Sequence, residues 1–438
     1  MSVKNGINGW AGSVLRVNLT TGAITTEDTL PKYKPYIGGM GLGYKVIWDE
    51  VPLDTDPLGP DAKVVFAVGP LTASGVPCSG RMNVSCLSCW SKGDSIVDAH
   101  MGGHIAHAFK YAGYDALIVE GQSDKPVYIK IDDDASEVWG KGTFETNATL
   151  TKANGDEFDV ASIGQAGENL VPMSCMVTSF GNSGGGGIGA VLGSKKVKAL
   201  VVRGTGAVKI ARPLEVKLLS NYMIKDLVGG NNNHNVPTVP QTWAEYSATR
   251  DKAPNGPIDM GEQPSGVINV AALRCNKGVF DFGEIAEKYT VKQGGCSSCP
   301  VRCYTEYDMD PLADYDLPTH VSNTCIPITG QTGIYCEGTH DFVDEGDAKI
   351  ILGGAGSRAQ DDFGVWCNYG NLKTDFIRAY KDGILKEHMT EEEWNAVPWD
   401  LMKDGDPRWA VEFYRLIAEG KGAWGVIGKG SYYMYKEW

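Results

Sequence analysis

Thr290-Val291-Lys292-Gln293-Gly294-Gly295-Cys296-Ser297-Ser298-Cys299-Pro300-Val301-Arg302-Cys303-Tyr304-Thr305-Glu306-Tyr307-Asp308-Met309-Asp310 is the stretch around which the other features of this sequence arrange themselves. Cys296, Cys299 and Cys303 make a C-x2-C-x3-C run, and Gly294 and Gly295 let the backbone bend sharply before it. Thiolates at that spacing can share one pocket and hold three corners of an iron–sulfur cube, with a fourth ligand from elsewhere. Zinc is the rival, but structural zinc sites usually use two spaced pairs, and no matching C-x-x-C or H-x-H follows. Three structural thiols are the remaining alternative, although buried cysteines seldom cluster this way. The run points to a 4Fe–4S cluster.

Working outward, 438 residues suffice for two or three domains with real cores. A net charge of −14 argues against a nucleic-acid surface. No run of 18 apolar residues exists, so no membrane span is expected. Met1 to Gly12 has no apolar signal core. Eleven cysteines, mostly single, suit reduced thiols in a cytoplasm better than a disulfide framework. The 56 glycines imply tight turns and close backbone approaches.

The chain opens with a hairpin over 10–31, where Val14, Leu15, Val17 and Leu19 lead into a Thr-Gly turn. A Gly-rich start at Gly38 precedes an amphipathic helix through Trp48, and 63–70 (KVVFAVGP) is a buried strand. Further strands are expected over 82–120, 126–140 (a second hairpin), 159–163 and 198–203, with a loop at Asp98–Gly103. The texture changes at Arg212-Pro213, beyond which helical patterns such as 214–228 and 280–290 dominate, and 229–265 is polar loop. This predicts an α+β chain: a β-rich domain, residues 1–208, followed by a mainly helical domain, residues 209–438, which carries the cysteines.

Several other patterns carry chemistry or its bland equivalent. The tract Ser183-Gly184-Gly185-Gly186-Gly187-Ile188-Gly189 is an anion cradle or a structural turn; it closes as neither a P-loop nor a dinucleotide fingerprint. Arg81, in a turn between two strands, is either a donor to a buried anionic cofactor or a surface arginine. Asp361-Asp362-Phe363-Gly364-Val365-Trp366 follows a small-residue helix; its carboxylate can accept paired N–H bonds from a heterocycle edge, or simply end a helix. His320, near Cys325, is a candidate acid or base beside a packing role. Glu337-Gly338-Thr339-His340 reads as loop, and Cys86-Leu87-Ser88-Cys89 as core.

In their order these pieces resemble the tungsten-dependent aldehyde ferredoxin oxidoreductases, and the likeness covers almost the whole chain. Gly9–Gly22 (GWAGSVLRVNLTTG), Gly38–Gly43 (GGMGLG), Ala67–Thr72 (AVGPLT), Phe109–Asp115 (FKYAGYD) and Gly187–Lys195 (GIGAVLGSK) carry it together with the cysteine run. The resemblance implies a tungsten or molybdenum bis-pyranopterin beside the iron–sulfur cluster, with the metal held by cofactor sulfurs. Residues 1–208 would form a two-sheet base under the pterin. Arg81 would bridge pterin and cluster. His100, Gly102, Ser183, Gly184, Gly186 and Gly187 would touch pterin and its phosphates, and Asp361, Gly364, Val365 and Trp366 would form the first of two D-x-x-G-L pterin motifs. The implied reaction is oxidation of an aldehyde to a carboxylic acid, with electrons passing to ferredoxin or a ferredoxin-like subunit.

The sequence departs from the family pattern. His100 stands where Asn is frequent, Gly185 where Arg is common, and Trp366 where Asp often ends the motif. The second motif, which supplies the family's fourth cluster cysteine from a third domain, is absent, leaving Cys367 as a weak substitute. A truncated product or a half that needs a separate chain for that domain is therefore expected. The alternatives are an iron–sulfur electron-transfer or scaffold subunit, or a reductase of aromatic thioesters within a larger complex.

Overall fold

In a computed structural model, residues 8–90, 95–131, 140–228, 288–299, 304–324, 347–366 and 372–438 are described. β1 (Ser13–Asn18) and β2 (Ala23–Asp28) form the expected hairpin. Its turn is closed by the Asn18 carboxamide, which accepts from the Thr20 and Thr21 amides at 3.1 and 3.0 Å. β3 (Val64–Ala67), β4 (Met82–Leu87), β5 (Ile96–Met101) and β6 (Ala116–Glu120) complete a six-stranded sheet in the order β2-β1-β6-β3-β4-β5. β7 (Val127–Ile131), β8 (Asp159–Ile163), β9 (Met176–Thr178), β10 (Ser183–Gly184) and β11 (Val197–Val202) form a second sheet, β10-β9-β8-β11-β7.

The two sheets share one apolar core because the strands alternate. Leu15 and Val17 of β1 meet Leu200 and Val202 of β11 in that core. The intervening Val14 turns the other way, toward Leu42, Val46 and Ile47 of the helix Gly39–Glu50. On the outer face of the second sheet, Ala199 and Val201 pack with Leu150 of the helix Thr143–Asn154. Sheets covered on both faces read as continuous apolar runs, which is why KVVFAVGP shows no alternation. The entry to the Gly39–Glu50 helix needs a glycine. Gly38 has φ +83°, and a Cβ there would sit 2.7 Å from the Val68 carbonyl.

The Phe109–Asp115 segment is structural. Lys110 Nζ and Asp115 Oδ1, both side chains fully buried, are 2.5 Å apart. The same carboxylate accepts from the amides of Ala11 and Gly12 and from the Thr29 hydroxyl. One charge pair thus ties the start of the first hairpin to the sheet.

Beyond residue 208 come the helices Pro213–Val228, Asp347–Phe363, Lys373–Lys381 and Arg408–Glu419, with shorter ones between and after them. Phe376, Trp409, Phe413, Tyr414 and Trp424 build their core, which also takes in Val171 and Met173 from below the second sheet. No helix among the described residues is long and apolar enough to cross a membrane. The architecture is α+β, with mixed sheets first and helices after.

Two details differ from the sequence reading. Asp98 to Met101 are not loop but the end of β5, where β4 pairs Ser85 with Asp98 and Asn83 with His100. The second half of the hairpin expected over 126–140 lies outside the described residues, and β7 pairs with β11, in parallel. The helical part also contains a third sheet, formed by β12 (Thr290–Gly294), β13 (Tyr304–Asp308) and β14 (His320–Thr324). Its β-branched and aromatic residues signal strand, whereas the sequence reading expected mainly helical patterns beyond Pro213.

Candidate functional site

The third sheet presents the cysteine run. Gly294 pairs with Tyr304, so residues 295–299, the described start of the connection, leave from that end of β12. The turn is tightened by Cys299 N donating to Cys296 O at 2.9 Å. It is docked on the first region by three kinds of contact. Ser297 N donates to Gly103 O at 3.0 Å, and Cys78 N donates to Ser298 O at 2.9 Å. His104 Nδ1 lies 2.7 Å from Ser297 Oγ, and His107 Nε2 3.1 Å from Ser298 Oγ. Phe180 stacks on Tyr304 with ring centroids 4.1 Å apart. Burial, and then the neighbouring His104, push the His107 pKa down, so its ring is neutral near pH 7.

Arg81 leads into β4 beside this turn. Its Nη1 donates to the His100 carbonyl at 2.8 Å and to Asn182 Oδ1 at 3.2 Å. Asn182 Oδ1 also accepts from Gly102 N at 2.5 Å. A Cβ on Gly102 would sit 2.7 Å from Cys296 Sγ and 2.9 Å from Asn182 Cγ. Arg81, His100, Gly102 and Cys296, picked separately from sequence, are therefore neighbours. The His100 side chain turns outward instead, with Nε2 2.8 Å from Asp98 Oδ2.

The glycine tract folds against β5 and the Asp361 motif. Ser183 and Gly184 pair with Val177 and Met176. Cβ atoms at Gly184, Gly186 and Gly187 would fall 2.7 Å from Met101 Cγ, 2.6 Å from Val97 Cγ2 and 2.5 Å from Cys89 Sγ. A Cβ at Gly185 would overlap the Trp366 indole. These glycines thus permit close packing, which favours the structural-turn side of the sequence reading.

Asp361 and Asp362 lie in the last turn of the helix Asp347–Phe363, not in a loop. Gly364, at φ +67°, then turns the chain so closely onto Gly164 that a Cβ would meet its amide at 2.6 Å. Trp366 N donates to Met173 O at 2.7 Å, and Cys175 N to Gly364 O at 2.8 Å. Asp362 Oδ1 accepts from Phe144 N at 3.1 Å. Burial, with Asp362 adding to it, pushes the Asp361 carboxyl up to about 8, so it is protonated at neutral pH.

Around that turn, Gln165 Oε1, Gln360 Oε1 and Ser174 Oγ are buried and find no hydrogen-bond partner among the described residues. Ser174 pairs with Val365 through the backbone, and Val365 N donates to Gln360 O. Buried acceptors without donors are costly, by about 1–3 kcal/mol each. A heterocycle offering N–H groups fits such a site, and a protonated Asp361 could donate to it as well. At the cysteine turn the donor set is thiol: Cys299 Sγ lies 3.8 Å from Cys78 Sγ. Soft sulfur donors suit an iron–sulfur cluster.

Cys303 and Cys367 lie outside the described residues, as do Glu337–His340 and the whole polar stretch 229–265. His320 is described but is not brought to the site. It pairs with Asp308 at the far end of β13 from Tyr304, about 13 Å along the strand at the usual rise. It is exposed, and its carbonyl accepts from Arg358. Asn182, His104, His107 and Cys78 were missed. Only Cys78 had a usable signal, since it stands three residues before Arg81.

Comparison with known proteins gives the following. The model of the N-terminal domain of aldehyde ferredoxin oxidoreductase matches residues 14–204, and the model of that protein's domains 2 and 3 matches residues 272–438. The tungsten-containing aldehyde ferredoxin oxidoreductase of Pyrococcus abyssi is 32% identical over 454 residues, covering 97% of this chain and 67% of its own. That of Pyrococcus furiosus is 35% identical over 304 residues, covering 67% of this chain and 48% of its own. The WOR-like subunit of an aliphatic sulfonate oxidoreductase from Pyrococcus furiosus is 25% identical over 463 residues, 96% of this chain and 66% of its own. Among solved structures, the active site complex BamBC of benzoyl coenzyme A reductase, in complex with 1,5-dienoyl-CoA, superposes with a TM-score of 0.75 at 25% identity. That likeness covers 98% of this chain and 63% of that one. The matched regions thus span from about half to two thirds of the relatives' lengths.

Proposed function

This chain belongs to the aldehyde ferredoxin oxidoreductase family, and from that premise we propose that it oxidises an aldehyde to a carboxylic acid with a ferredoxin-type acceptor. The observation that carries the reading is the position of Arg81. Its guanidinium donates to the His100 carbonyl and the Asn182 carboxamide, at the corner where Gly102 abuts Cys296 and where the resemblance places the pterin.

In this reading Cys296, Cys299 and Cys303 hold iron of a 4Fe–4S cluster. Ser183 and the Asp361–Trp366 turn hold the pterin. A tungsten or molybdenum bis-pyranopterin, when bound, supplies the two-electron chemistry: aldehyde and water become carboxylic acid, with release of two electrons and two protons. The chain's own residues position and insulate. Arg81 offers positive charge and a planar donor fork between two anionic groups. Protonated Asp361 donates one hydrogen bond and accepts others without adding negative charge to a buried site. Gln165 and Gln360 supply acceptors. We assign His320 no catalytic role, because it stands at the wrong end of its sheet. We place the domain division near residue 208, with the electron acceptor or a further subunit docking from outside.

The test is anaerobic purification of the chain, with iron, acid-labile sulfide, tungsten and molybdenum measured together, followed by aldehyde-dependent reduction of a viologen or ferredoxin. Iron with tungsten or molybdenum and aldehyde-dependent turnover support the reading. A loaded chain that leaves every aldehyde untouched sinks the reaction. A second reading is favoured by the likeness to the solved BamBC complex across nearly all of this chain: a subunit of a larger assembly that reduces an aromatic thioester. Turnover of an aromatic coenzyme A thioester by the loaded chain, without aldehyde oxidation, would select it.

A further inference from the structure

The helix Ile105–Tyr111 turns two of the chain's seven histidines toward the cysteine turn. His104, at its N-terminal boundary, and His107 stand three residues apart, a spacing that places side chains on one face. His104 Nδ1 lies 2.7 Å from Ser297 Oγ, and His107 Nε2 3.1 Å from Ser298 Oγ. Those serines are the two residues between Cys296 and Cys299, so each ring holds one of them. The serine backbone is held from the same region: Ser297 N donates to Gly103 O, and Cys78 N donates to Ser298 O.

Two observations mark this arrangement as more than packing. Ser298 sits in a left-handed conformation, φ 60°, which a non-glycine residue keeps only where its surroundings hold it. His107 is 8% exposed, and its Nδ1 is buried with no hydrogen-bond partner among the described residues. A buried imidazole with one nitrogen unsatisfied is a costly way to fill space that an apolar residue would fill. What the ring adds is its bond to Ser298. His104 is held as well: its ring meets Phe180 edge-on with centroids 4.8 Å apart, and Phe180 stacks on Tyr304 at the start of β13.

We propose that His104 and His107 are positioning residues of the iron–sulfur centre, which through the Ser297 and Ser298 hydroxyls fix the segment between Cys296 and Cys299 so that both sulfurs serve one cluster. The proposal rests on the cluster reading above. The two residues inside a C-x-x-C turn set the relative direction of its side chains. A left-handed Ser298 released from its partner relaxes toward the right-handed or extended regions, and the Cys299 side chain turns with it. Groups that orient metal ligands in this way typically contribute about 10–100-fold to metal affinity. They also tune the reduction potential, because hydrogen bonding and solvent access around the sulfurs set it.

The full chain is purified anaerobically as wild type, H104L, H104N, H107L, H107Q, S298A and the H107L/S298A double variant. Asn presents a polar atom near the place of Nδ1, and Gln near that of Nε2, so these two variants keep the hydrogen bond and lose the ring. Iron and acid-labile sulfide are measured, with the rate of iron release to a chelator and the reduction potential by electron paramagnetic resonance. Release should be about tenfold or more faster in H104L, H107L and S298A, with the reduction equilibrium shifted about threefold or more. H104N and H107Q should stay within about threefold of wild type, and the double variant should match H107L, since the same bond is removed. Wild-type release and potential in either leucine variant overturn the proposal while leaving the cluster standing. So does an Asn or Gln variant as impaired as its leucine counterpart, or a double variant whose losses multiply, since either assigns the effect to packing. Ser298 is exposed, so S298A tests the same bond where a histidine variant fails to fold, and wild-type values there overturn the proposal too. Wild type holding neither iron nor sulfide overturns the proposal together with the cluster reading.

Discussion

The Trp366 indole occupies the space into which a side chain on Gly185 would project. On the resemblance, Arg is common at position 185 and Asp at position 366. A larger side chain at 185 would need the ring to move.

Gly185→Arg should therefore destabilise the chain by about 1–3 kcal/mol through overpacking against the ring. Adding Trp366→Asp should recover part of that loss, giving a favourable coupling of about 1 kcal/mol or more. Urea unfolding of the two single variants and the double variant measures it. Additive losses would show that the two positions are independent.

Arg81 is exposed, and its Nη1 donates to a carbonyl and a carboxamide. Arg81→Ala should cost about 1 kcal/mol or less in stability. Acceptor reduction by the loaded chain should nevertheless fall by about tenfold or more, since a positioning charge between two redox groups is lost. Arg81→Lys should recover little, having no planar fork. Stopped-flow reduction beside thermal unfolding separates the two effects.

Asp361 is raised by burial from 3.8 to about 8. The unfolded chain ionises first as pH rises, so stability is full below about 4 and is lost progressively up to about 8. The unfolding midpoint of cofactor-free chain should fall between pH 5 and 8, and Asp361→Asn should flatten that slope. A variant with the parent's slope would assign the loss to other groups.

Asp115→Asn removes the charge facing buried Lys110. A loss of about 3–5 kcal/mol is expected, because an ammonium is left uncompensated in the core. Iron content per folded molecule should not change, since the Asp115 carboxylate bonds to Ala11, Gly12, Thr29 and Lys110 and to none of the cysteine-turn residues. Denaturant titration and iron analysis of the folded fraction check both halves.

Much of this molecule was legible in its sequence. The β1–β2 hairpin, the strand at Val64–Ala67, the helices Gly39–Glu50 and Pro213–Val228 and the order of β-rich before helical segments all follow from local periodicity and turn residues. Cys296 was identifiable from type and spacing and Arg81 from its type and turn position, whereas Gly102 came only from the family resemblance. The errors have physical causes. Asp98–Met101 carries turn-like residues yet is a strand, because β4 offers it a full ladder of partners. Asp361 was read either as a carboxylate for a heterocycle edge or as a helix end, and the helix does run on past it to Phe363.

The sequence by itself determined the thiol run, the small residues at 184–187 and 364, and the alternation that makes two sheets share a core. Those are properties of neighbours along the chain, set by backbone sterics and hydrophobic period. Only the tertiary structure decided that Cys78 meets Cys299, that Arg81 reaches both His100 and Asn182, and that Trp366 fills the space above Gly185. Such contacts join residues from 19 to 221 positions apart. They arise from how the sheets, loops and helices pack, and no local pattern encodes them.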